Sequence, residues 1–134
     1  MFGNSANAIA SYKKVETDMA VASSDPHHLV QLLFDGAIQG IAMARIHMDN
    51  GNIAEKGRYI SQAIDIINNG LKTSLNFDSG GEITRNLDAL YSYMSTRLIF
   101  ANLRNDPAVL DEISGLLTEI GSAWSSITPH KSSP

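Results

Sequence analysis

At 134 residues with no cysteine, the chain is sized for one domain and can form neither a disulfide nor a thiolate metal site. Apolar residues make up 43% and charged residues 18%, which excludes an intrinsically disordered composition and suits a soluble globular protein. The net charge is −4, from 14 acids against 10 bases, and the bases are scattered rather than clustered, which excludes nucleic acid as a partner.

Residues 1–22 form an expected N-terminal arm, in which Ile9 and Tyr12 stand three apart in a short, weakly helical stretch. The chain opens without a basic segment leading into a continuous apolar one, so no secretory signal is expected. No uninterrupted apolar run approaches about 18 residues, so membrane insertion is not expected and the cytoplasm is the expected location.

Asp25-Pro26 opens the first predicted helix, about 26–50, which Gly51 stops. Asp can accept from free backbone amides there, and Pro carries the φ of a first helical position. Leu29, Val30, Leu33, Phe34, Ala37, Ile41 and Met48 share one broad face. A second apolar set, Leu32, Met43 and Ile46, lies nearly opposite. Gly36, Gly40 and Ala44 recur every fourth residue, a pattern that suits close helix crossing.

The second helix is predicted over about 53–75, with Tyr59, Ile60, Ala63, Ile64, Ile67, Gly70 and Leu71 on its core face. Asp65, Asn68, Asn69 and Lys72 occupy its other face. The third, about 82–104, places Leu87, Leu90, Met94, Leu98 and Ala101 on one side, and Tyr93, Phe100 and Leu103 on nearly the opposite side. The fourth, about 107–127, repeats the cap-plus-proline start at Asp106-Pro107 and carries one clean stripe from Val109 to Ile127. Residues 129–134 form an expected flexible tail. No window alternates with period two, so the expected fold is all-α: an antiparallel up-down-up-down four-helix bundle over 23–128.

Little in the sequence points to catalysis. His27, His28, His47 and His130 contain no i, i+4 metal pair, and are expected as solvated surface residues. There is no HExxH, P-loop or GxSxG motif, so no catalytic residue, metal site or cofactor is expected and the protein is read as a non-enzyme. His47-Met-Asp-Asn-Gly51 resembles the surround of a phosphotransfer histidine. Asn50, however, replaces the lysine that would steady a phosphate, and Asp49 repels one. A histidine phosphotransfer-like bundle is therefore carried only as an alternative.

The surplus apolar residues of the first and third helices need a cover. One is self-association, in a homodimer or a helical structural assembly; another is the arm. The third is an amphipathic segment of another chain laid into a groove. Burying Tyr93, Phe100 and Leu103 would gain about 1.5–3 kcal/mol each. That sum offsets the roughly 2–5 kcal/mol needed to order a disordered partner.

The segments SSDPHHLVQLLFDGAIQGIAMAR (23–45), KGRYISQAIDIINNGLKTSL (56–75), GGEITRNLDALYSYMSTRLIFANLRND (80–106) and GLLTEIGSAW (115–124) resemble the FliS family, in order and over nearly the whole chain. The resemblance implies a cytosolic antiparallel helical bundle that binds the disordered C-terminal segment of flagellin. It also implies that binding prevents premature polymerisation and delivers flagellin to the flagellar type III export gate. The family carries an aromatic N-terminal arm with an Ile-x-x-Tyr pair tied to client handling, and Ile9-Ala-Ser-Tyr12 stands at the matching position. Asp25 stands where many members have a small residue or Ser, and it caps equally well. The expected partner-binding residues are Ile9, Tyr12, Leu32, Met43, Ile46, Tyr93, Phe100 and Leu103.

Overall fold

A computed structural model describes residues 25–127. Within them lie four helices: α1 (Pro26–Asp49), α2 (Ile53–Ile66), α3 (Gly81–Arg104) and α4 (Pro107–Ser126), with no strand among the described residues. A π-helical turn, Ile67–Leu71, continues α2 without a break. The expected arm, the expected tail and the site residues Ile9 and Tyr12 lie outside the described residues.

The helix starts follow from local chemistry. The Asp25 carboxylate accepts from the His28 amide at 3.3 Å, and Asp106 accepts from Ala108 at 3.1 Å. Each is followed by a proline that needs no donor partner. Gly51, at φ +73, turns the chain after α1 in the left-handed region where a side chain would be strained. The second helix ends at Leu71, earlier than its apolar pattern predicts. The Thr73 hydroxyl donates to the Asn69 carbonyl at 2.9 Å and Ser74 donates to Leu71 at 2.7 Å, so side chains take acceptors that further helix would use.

The helices form a ring in which α1 packs on α2 and α4, and α3 on α2 and α4. Across both diagonals no described backbone pair comes within 8 Å; the Phe34 and Tyr91 rings, 6.5 Å apart, bridge one of them. Pairings run in opposite order along neighbouring helices, as antiparallel packing gives. Leu33 meets Gly70 while Gly40 meets Tyr59 and Ala63. Lys56 meets Asn102 while Lys72 meets Asp88. Phe34 meets Gly121 while Arg45 meets Asp111.

Phe34, Ile41, Ile60, Ile67, Leu71, Met94, Leu98, Leu110, Ile113 and Leu117 are fully buried. Gly40 and Ala44 are buried on α1, and Gly40 faces α2, where an added Cβ would meet the Tyr59 carbonyl oxygen at 3.5 Å, an ordinary contact distance that does not demand glycine. By length and composition α1 is apolar enough to cross a membrane; Leu33, Phe34, Ala37, Gly40, Ile41, Ala44 and His47 of it are buried in this core. Lys56, also buried, donates from Nζ to the Asn102 carbonyl at 2.9 Å and to Asn105 Oδ1 at 2.6 Å, closing the C-terminus of α3 with a positive charge.

Candidate partner-binding surface

The core side of α3 is wider than its sequence pattern implied. Tyr91 and Ser95 are buried with Met94, Leu98 and Ala101, and the Ser95 hydroxyl donates to Asn68 Oδ1 at 2.8 Å. Asn68, expected on an outer face, thus serves the α2–α3 contact. Beyond this wide buried arc, α3 turns an apolar face outward. Tyr93 is 43% exposed, Phe100 43% and Leu103 76%. Ile99 joins them at 51%, one turn before Leu103. Sequence reasoning missed Ile99 because it falls between the two stripes; its i, i+4 relation to Leu103 is the signal that finds it.

The second set on α1 is divided. Ile46 is exposed, whereas Leu32 and Met43 are half-buried, with Met43 packed against the core cluster. Because α1 and α3 are diagonal, the two sets lie on opposite corners and share no groove.

Along the α4 flank of α3, Tyr93, Arg97, Phe100 and Arg104 form one row at i, i+4, i+7 and i+11. The Tyr93 hydroxyl donates to Glu112 Oε2 at 2.5 Å, and Arg97 Nη2 donates to Glu112 Oε1 at 3.3 Å. The hydrogen bond to Glu112, above other causes, pushes the Tyr93 phenol above its ordinary pKa. The Arg104 guanidinium sits 4.8 Å over the Phe100 ring. Aromatic and cationic side chains therefore alternate along the edge of the exposed apolar face.

His28 is exposed as expected and His130 lies outside the described residues, whereas His47 and His27 depart from the expectation of a solvated surface. His47 is only 4% exposed, stacked on Tyr59 with ring centroids 5.5 Å apart, and its Nδ1 lies 3.1 Å from the Asn52 amide nitrogen. A ring so enclosed cannot meet a phosphoryl donor, and the phosphotransfer alternative loses its residue. His27 is half-buried and stacked on Trp124 at 4.7 Å. No group of three or more His, Cys, Asp or Glu able to hold a metal occurs among the described residues.

The molecule is a helical bundle that closes its core and still turns an apolar row edged with arginine outward. A family model described as "Flagellar protein FliS" matches residues 7–131. The chain is similar to the flagellar secretion chaperone FliS of Salmonella typhimurium, 46% identical over 95% of this chain and 94% of the relative. It is also similar to the flagellar secretion chaperone FliSB of Pseudomonas aeruginosa, 44% identical over 90% and 95%. Against FliS of Escherichia coli K12 the identity is 42%, over 89% and 88%. The chain belongs to the FliS family, a family of chaperones and not of enzymes.

Proposed function

We infer that the protein is a cytosolic flagellar export chaperone whose client is the disordered C-terminal segment of flagellin. The observation that carries this reading is the outward apolar face of α3, Ile99, Phe100 and Leu103 with Tyr93, in a chain whose relatives are named flagellar secretion chaperones. An apolar face of this kind on a folded bundle favours association, and an amphipathic client segment covers it by folding onto it. Client held this way is withheld from polymerisation until it is delivered to the flagellar type III export gate. The exposed Ile46 with the half-buried Leu32 and Met43 forms a second contact on the opposite corner. Ile9 and Tyr12 belong to an arm that competes with client for apolar surface.

Titration calorimetry with a peptide copying the C-terminal segment of flagellin tests the reading. Binding with a negative heat-capacity change and a gain in helicity supports coupled folding onto an apolar surface. Absence of binding to the folded bundle overturns it and leaves self-association as the cover, which light scattering across concentration detects. In the same titration Tyr12→Ala is expected to change client affinity; an unchanged affinity removes the arm from the mechanism.

A further inference from the structure

We propose that the Tyr93–Arg97–Phe100–Arg104 row selects an amphipathic polypeptide segment by its carboxylates, with Arg104 receiving an acidic side chain of the client while Phe100 and Leu103 receive its apolar face. This rests on the chaperone reading and adds the chemistry by which the client is oriented.

Most cations of the described residues already have an acidic partner. Arg45 is paired with Asp49 and Asp111, Arg58 with Glu55, Lys72 with Asp88 and Arg97 with Glu112. Lys56 is consumed by the end of α3. Arg85 and Arg104 make no ion pair among the described residues, and both are exposed on α3. In a chain of net charge −4, unpaired cations on the helix that carries the exposed apolar face point to an acidic complement rather than to general charge attraction.

Arg104 is also presented for pairing. Its guanidinium rests 4.8 Å over the Phe100 ring, a contact that uses none of its donors. Arg97 spends one donor on Glu112, at 3.3 Å, and its buried Nε has no acceptor. The charge of Glu112 is offset by its ion pair with Arg97. Arg97, already paired with Glu112, is occupied, so a client helix laid beside α3 meets Arg104 with its acid.

The test measures binding of the flagellin C-terminal peptide to the full chain and to Arg104→Gln and Arg104→Glu. It is repeated with peptides in which each Asp or Glu in turn becomes Asn, Gln or Lys. Arg104→Gln is expected to weaken binding about tenfold and to flatten its salt dependence, with Arg104→Glu weaker still. One Lys-substituted peptide is expected to recover affinity for Arg104→Glu, an exchange that a merely structural arginine does not show. Equal affinity of all three proteins for the peptide overturns the inference while leaving the chaperone reading intact. Failure of the unmodified chain to bind overturns both. A change in self-association of Arg104→Glu, with peptide affinity unchanged, assigns the row to a second copy and likewise overturns the inference.

Discussion

His27 and Trp124 hold each other by two reciprocal hydrogen bonds. Trp124 Nε1 donates to the His27 carbonyl at 2.9 Å, and His27 Nε2 donates to the Trp124 carbonyl at 2.9 Å, with the two rings stacked at 15° between their planes. The clasp ties the first turn of α1 to the last turn of α4. Trp124→Phe keeps an aromatic ring and loses a donor, and is expected to cost about 1 kcal/mol; Trp124→Ala is expected to cost about 2 kcal/mol or more. Urea unfolding measures both. Combining Trp124→Ala with His27→Ala is expected to cost less than the sum of the single changes, because the two residues are each other's partners.

Two glycines on helices are expected to respond to alanine with opposite sign. At Gly70 an added Cβ falls 2.8 Å from Leu33 Cδ2, and Leu33 is itself buried, so Gly70→Ala is expected to destabilise by about 1–3 kcal/mol. At Gly115, in α4, an added Cβ meets nothing within 4 Å, so Gly115→Ala is expected to stabilise by about 1 kcal/mol through helix propensity. Denaturation midpoints of the two variants, measured side by side, check the signs.

Phe100→Asp separates the outer face of α3 from its core. The bundle is expected to keep its stability within about 0.5 kcal/mol, because Phe100 is exposed, while binding of the flagellin peptide weakens. Leu98→Ala, two residues away and fully buried, is expected to lose about 2–5 kcal/mol. A Phe100→Asp protein that loses cooperative unfolding would place that ring in the core.

Burial pushes the Tyr91 phenol from 10.0 to about 12. A raised acid pKa means that the folded state holds its proton longer than the unfolded chain does. Stability is therefore fully retained below pH 10 and falls as pH rises through about 12. The expected slope from Tyr91 alone is about 1.4 kcal/mol per pH unit in that window. Tyr59, also raised chiefly by burial, acts in the same direction. Urea midpoints from pH 9 to pH 12 are expected to fall less steeply for Tyr91→Phe than for the unchanged protein.

The helix starts at Asp25-Pro26 and Asp106-Pro107 were legible because a cap is chemistry between residues two or three apart. The core faces were legible wherever a single stripe had one use, as on α4 from Val109 to Trp124; Ile127, expected on the same stripe, lies past the helix end and is 54% exposed. On α3 the angular reading identified Tyr93, Phe100 and Leu103 as outward but passed over Tyr91 and Ile99, which sit at the borders of their arcs. Border positions are decided by where the neighbouring helices stand, and spacing within one helix carries no information about that. Met43 shows the same limit, since it lies off the main face of α1 and still packs on the core.

By itself the sequence determined the four helices, the apolar surplus on α1 and α3, and the resemblance to the FliS family. Periodicity, caps and motif order are properties of neighbouring residues. Only the tertiary structure decided that Lys56 closes α3, that His47 is enclosed against Tyr59, that His27 clasps Trp124, and that Arg104, with no ion pair among the described residues, stands over an exposed Phe100. Each of these depends on which distant group arrives within a few ångströms of a side chain. That arrival is set by how the helices pack around a shared core, because burying the apolar faces fixes the register in which polar groups must then find partners or face solvent.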